Sequence, residues 1–194
     1  DRKYTRKLAS WRSARKEDKK TMIKQLAYII NYSISKLFPA LLSLLFFPII
    51  VRFLDVKQYA ELNINTQLFN LLNTILLLTT YYIQRHFKRN PSCLNEAMGI
   101  TIQLSICITL LFVIINYIIF NKFNLLFSII VTANYILLGI YQNNMTALNA
   151  LEESKVYATY QVFYSLFKTI FSILFVFLTN SYIGVFLGML VPLL

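Results

Sequence analysis

Two lysines, Lys36 and Lys168, stand about halfway along long apolar stretches of the sequence. An ammonium at mid-membrane costs roughly 2.5–3.5 kcal/mol even on a lenient insertion scale. With about 1.5 Å of rise per residue, both are expected roughly 15 Å from the inner ends of their helices, near the midplane. A lysine stem snorkels only a few ångströms, so neither reaches water through lipid. Carboxylates do not offer ready partners, because all eight lie in the N-terminal segment, in connections or at helix ends. Two outcomes stay open: a cationic cavity that receives an anion, and pairing with residues of another segment or chain. Either way the chemistry is recognition by charge and hydrogen bonds, which requires no covalent step.

Polar side chains fall in register with the lysines. At 100° per residue, Asn63, Gln67, Asn70, Thr74 and Tyr81 form one stripe, and Tyr157, Gln161, Tyr164 and Lys168 form another. The first apolar stretch offers Tyr28, Tyr32, Ser35, Pro39 and Ser43, with Lys36 on its flank, and the fourth ends in Gln142, Asn143, Asn144 and Thr146. A single such residue is usually glue between helices. Full-length stripes are better explained by a wet central cavity. Pro39 and Pro48 each remove a backbone hydrogen bond from the first helix, which makes them either static bends or hinges. Gly184-x-x-x-Gly188 is a close-packing motif for neighbouring helices.

The elements that must carry these residues are transmembrane helices. Hydrophobic residues make up 57% of the 194 and charged residues 14%, against about 25% charged in ordinary soluble domains. The expected fold is all-α, a polytopic bundle of about six helices spanning 26–50, 62–83, 97–119, 125–147, 158–178 and 182–194, the last cut short at Leu194. Connections are short: Arg52–Glu61, Arg85–Asn95, Asn121–Asn124, Asn149–Tyr157 and Asn180-Ser181. Residues 1–21 form a basic polar segment, and Met22, directly after it, is the favoured true start. Arg85, Lys88, Arg89 and Lys155 share one side with that segment, so the bias of Lys and Arg places the N-terminus in the cytoplasm.

Several function classes find no support. The formal net charge of +11 is mostly local, since residues 1–21 hold nine of the 19 Lys and Arg and three of the eight Asp and Glu. A membrane-proximal basic segment is a commoner origin for such a charge than nucleic-acid binding. Cys93 and Cys107 make no metal spacing, His86 is the only histidine, and no phosphate-binding G-x-x-x-x-G-K-[ST] occurs. No cofactor and no catalytic residue is expected.

The run Phe47-Pro48-Ile49-Ile50-Val51-Arg52-Phe53-Leu54-Asp55-Val56-Lys57-Gln58-Tyr59-Ala60 is similar to a pattern of the polysaccharide-biosynthesis flippases: an apolar, proline-containing run, then Arg-x-Leu, then an aromatic followed by Gly. Ala147-Leu148-Asn149-Ala150-Leu151-Glu152-Glu153-Ser154-Lys155-Val156-Tyr157 resembles that family's link between helices four and five. From Met22 onward the chain resembles these translocases of lipid-linked oligosaccharide units, relatives of the multidrug antiporters and lipid II flippases. Ala60 stands where the family usually has Gly, and Thr79-Thr80 occupy a stretch where Gly often occurs.

The resemblance implies the N-terminal lobe of a two-lobe transporter of the cytoplasmic (inner) membrane, with the C-terminal lobe outside this sequence. It implies alternating access for an undecaprenyl-diphosphate-linked oligosaccharide, with Lys36 and Lys168 attracting the diphosphate and Arg52 and Arg85 helping at the rims. Asn63, Gln67, Asn70, Gln161 and Tyr164 would meet sugar hydroxyls. Rival readings are a small-molecule exporter of the same superfamily, a membrane polymerase or glycosyltransferase of the same pathway, and an inactive remnant. A cation exporter should carry cavity carboxylates, and a polymerase needs a sizeable outer loop, whereas Asp55 and Glu61 are the only acidic candidates there.

Overall fold

A computed structural model describes the backbone of residues 2–194 and the side chains of residues 22, 23 and 25–194. Six α-helices follow one another: α1 (Arg2–Phe53), α2 (Val56–His86), α3 (Cys93–Phe120), α4 (Leu125–Ala150), α5 (Ser154–Thr179) and α6 (Ile183–Leu190), which ends in a 3-10 turn, Val191–Leu193. No strand occurs among the described residues. Helices α3, α4, α5 and the Gln25–Phe53 part of α1 are long and apolar enough to cross a membrane. The all-α bundle expected from the sequence is therefore the observed fold. Helix α2, at 31 residues, also has the length, but its Asn, Gln and Thr stripe makes it too polar to count by composition.

Most helices run past the apolar spans read from the sequence, because polar residues at the membrane boundary continue the backbone ladder. The basic segment 1–21 is helical in its backbone from Arg2, and its side chains lie outside the described residues. Helix α2 starts well before residue 62, since the Asp55 carboxylate caps it by accepting from Gln58 N at 2.6 Å. The expected Arg52–Glu61 connection is thereby reduced to Leu54 and Asp55. Helix α1 continues through both Pro39 and Pro48. Two connections fall where they were expected. Asn121 and Asn180 close α3 and α5 in the left-handed region, at φ 51° and 46°, which asparagine tolerates better than most residues. Asn124 then caps α4, accepting from Phe127 N at 3.1 Å.

Helix α4 ends differently. Glu153 N donates to Leu148 O at 3.1 Å, the long-range bond of a Schellman cap. The left-handed position of that cap, normally glycine, is Glu152, at φ 62°. A side chain there costs about 1–2 kcal/mol.

Helix α1 lies along α5, α5 along α6, α6 against α4, and α4 against both α2 and α3, which pack on each other. Helices α1 and α2 meet near their corner, where Phe47 and Tyr59 are edge-on at 5.6 Å, and separate beyond it. The centre is aromatic: Phe69 stacks on Tyr135 at 4.4 Å, and Phe186 of α6 meets Phe127 at 5.2 Å. Gly184 and Gly188 let α6 lie directly on the α5 backbone, as the motif suggested. A Cβ on Gly188 would stand 2.2 Å from Ser172 N, and one on Gly184 2.5 Å from Val176 N. Two side chains tether α6 by its carbonyls: Asn134 Nδ2 donates to Phe186 O at 2.9 Å and Ser172 Oγ to Val185 O at 3.1 Å.

Candidate functional site

The divergence of α1 and α2 opens a cleft of about 390 Å³, with α5 and α6 as its back wall. Helix α2 presents Asn63, Thr66, Gln67 and Asn70 to it, because the i, i+4, i+7 spacing returns these side chains to one face. Helix α5 supplies Gln161, Tyr164, Ser165, Lys168 and Thr169 by the same periodicity, and α1 contributes Pro39, Ser43 and Phe47. No acidic residue lines it.

Lys168 is half-buried on the back wall, and no described side chain forms an ion pair or hydrogen bond with it. Its charge is thus uncompensated among the described residues. Beside it, Tyr164 stacks on Tyr141 at 4.6 Å, and the Tyr141 hydroxyl donates to Gln161 Oε1 at 3.0 Å. That bond fixes the Gln161 amide with its NH₂ left over as a donor. Asn63, Gln67 and Asn70 make no hydrogen bond to another described residue and are exposed to the opening. A cation flanked by free amides and a tyrosine fixed by stacking can hold a phosphate-bearing, hydroxyl-rich ligand.

Other polar residues from the same stripes behave as glue. Asn143 donates to Thr101 Oγ1 at 2.7 Å and accepts from Thr79 Oγ1 at 3.1 Å, while Thr101 reaches Thr79 at 3.2 Å, which makes a closed buried triad of α2, α3 and α4. Asn65 accepts from Asn116 and donates to Glu61 O. Thr79 is thus used by its hydroxyl.

Asn63, Gln67, Asn70, Gln161, Tyr164 and Lys168 are brought together. Lys36, Arg52 and Arg85 are not among the cleft's lining residues. Lys36 is exposed, with its ammonium 5.6 Å from the centre of the Tyr32 ring. Its expected level with Lys168 needs correction. Tyr32 stacks on Tyr157 at 6.4 Å and Phe53 meets Phe177 at 5.7 Å, so α1 and α5 run in parallel in a fixed register. That register puts Lys36 level with Gln161 and Lys168 level with Ser43, roughly 10 Å farther along. Counting from apolar boundaries missed this, because the two helices do not start at the same height. Arg52 closes the last turn of α1 and Arg85 the last turn of α2.

Ser165 and Thr169 were missed, although their spacing from Gln161 places them on its face. Tyr141 gave no sign in the sequence, since an aromatic in an apolar helix is ordinary. No known family pattern, characterised protein or solved structure matches the chain.

Proposed function

We propose that this chain forms one lobe of a flippase that moves undecaprenyl-diphosphate-linked oligosaccharide units across the cytoplasmic membrane for surface polysaccharide synthesis. The observation that carries the reading is Lys168: a cation without a partner among the described residues, in a cleft with no carboxylate among its lining residues, beside free amides and a stacked tyrosine. The diphosphate sits at Lys168. Sugar hydroxyls exchange hydrogen bonds with Asn63, Gln67, Asn70 and Gln161, and a sugar face packs on Tyr164. The polyprenyl tail stays in the bilayer, and a second six-helix lobe completes the cavity so that it opens alternately to either side. Lys36, a few turns toward the basic end, acts on the approach rather than in the cleft. The absence of carboxylates among the cleft's lining residues favours this reading over a cation exporter.

The test is complementation, with the whole protein, of a strain lacking its own repeat-unit flippase. Wild type and Lys168→Arg should restore surface polysaccharide, while Lys168→Gln should lower it at least about tenfold, a loss near 1.4 kcal/mol, at equal membrane abundance. Full activity of Lys168→Gln removes the anion site from the proposal.

A further inference from the structure

Lys36 shares the open face of α1 with residues that line the cleft. Counting from Tyr32, the spacing i+4, i+7, i+11 and i+15 picks out Lys36, Pro39, Ser43 and Phe47, and the last three line the cleft. The parallel packing of α1 on α5 sets this series beside a second one. Tyr32 lies beside Tyr157, Lys36 is level with Gln161, Pro39 with Tyr164 and Ser43 with Lys168. The polar strip therefore runs on past the cleft toward the basic end, reaching Lys36 and Gln161 roughly 10 Å from Lys168, and then the tyrosines.

This stretch has the parts of a carbohydrate site. Tyr28, Tyr32 and Tyr157 form a nearly parallel series, with ring centroids 6.4 Å apart at each step and interplanar angles of 8° and 15°. Tyr28 is held in place by donating to Asn149 Oδ1 at 2.9 Å, and Tyr32 keeps 43% of its surface exposed. An open aromatic face gives the apolar face of a pyranose something to pack on. Gln161 has its oxygen taken by Tyr141 and offers its NH₂. The Lys36 ammonium stands 5.6 Å from the centre of the Tyr32 ring, and no described side chain forms an ion pair or hydrogen bond with it. No Asp or Glu occurs between 28 and 47 on α1 or between 157 and 168 on α5. An ammonium at membrane depth is costly, so water, an anion or a carboxylate must meet it. Beside an aromatic platform, the anion that fits is one carried on the sugar itself.

We propose that Lys36 reads an acidic sugar. The transported glycan carries a carboxylate about a disaccharide's length from its diphosphate, and that carboxylate sits on Lys36 while the diphosphate sits on Lys168. The sugar ring packs on Tyr32, and Gln161 donates to a neighbouring hydroxyl. The site rests on the flippase reading of the cleft and adds a charge to its substrate. A second diphosphate station is the competing use of the same ammonium, and the bare carrier lipid separates the two.

The test is binding of defined lipids to the purified whole protein in phosphatidylcholine nanodiscs. The probes are undecaprenyl diphosphate alone, the same lipid bearing a neutral glucose trisaccharide, and its counterpart with glucuronic acid as the second sugar. Wild type should bind the acidic probe about tenfold more tightly than the neutral one, the low end for a hydrogen bond between charged groups. Lys36→Arg should keep that ratio, and Lys36→Gln should bring it near one. Lys168→Gln should weaken both glycolipids and leave the ratio in place. Equal affinity of wild type for the two glycolipids overturns the proposal, as it would if Lys36 were paired with a carboxylate elsewhere in the whole protein. A ratio that survives Lys36→Gln overturns it too, and so does an equal loss of bare undecaprenyl diphosphate in that variant. Failure of wild type to bind any of the three lipids defeats the flippase reading itself, and the acidic-sugar site with it.

Discussion

Gly188→Ala should unseat α6, and the structure allows the size of the effect to be worked out. The added Cβ would lie 2.2 Å from Ser172 N and 2.3 Å from Ser172 Cα, both backbone atoms that no rotamer change can move. Ordinary contact requires α6 to retreat by roughly 1 Å. A shift of that size stretches the Asn134–Phe186 and Ser172–Val185 tethers beyond hydrogen-bonding range. Overpacking costs about 1–3 kcal/mol, and each lost tether about 0.6 kcal/mol in a membrane. Alanine's better helix propensity returns somewhat under 1 kcal/mol. The net loss is about 1–3 kcal/mol. Gly99→Ala is the matched control, since nothing lies within 4 Å of its Cβ, and that change should be neutral or stabilising by up to about 1 kcal/mol. Equilibrium unfolding in mixed micelles, followed by circular dichroism, measures both. Equal stability of the two variants would refute the seating of α6 on the α5 backbone. The cleft would be affected too, because Val185, Phe186 and Met189 line it and Ser172 is one turn from Lys168.

Asn143→Ala opens the buried Thr79–Thr101–Asn143 triad and should cost about 1–2 kcal/mol in the same unfolding assay. Asn70→Ala, in the cleft, should change stability by less than about 0.5 kcal/mol while lowering complementation by the whole protein. Glu152→Gly relieves a left-handed side chain at the cost of the carboxylate's contacts, the exposed pair with Lys88 among them, so in lipid-free micelles its net effect on stability should stay within about 1 kcal/mol.

Much of this architecture was legible in the residues. The apolar stretches gave the helices, and Asn121 and Asn180 gave the turns that end α3 and α5. Periodicity put Asn63, Gln67 and Asn70 on one face and Gln161, Tyr164 and Lys168 on another, and those two faces line the same cleft. What periodicity lacks is the identity of the neighbour across each face. It therefore could not show that α1 lies on α5 and leaves α2, nor that Lys36 and Lys168 stand at different heights. Arg52 and Arg85 close their helices instead of reaching the cleft, because the register that would bring a rim residue inward depends on helix length. Helix α2 began earlier than its apolar span because one carboxylate, Asp55, fixes its first turn.

The strongest case for a working cleft is the division among amides that look alike in the sequence. Asn65, Asn116, Asn134 and Asn143 all have partners inside the bundle. Asn63, Gln67 and Asn70 are interleaved with Asn65 on one helix, yet they have none among the described residues and face the opening. A helix bundle gains nothing by keeping unpaired amides on a membrane-embedded surface, where each unsatisfied group costs several kcal/mol in lipid. They are tolerable only if water, a ligand or another segment or chain meets them. Lys168, unpaired on the opposite wall, meets the same condition with a full charge. Two independent helices thus leave polar groups without a partner among the described residues toward one shared space, as the proposed hydrated binding cleft requires.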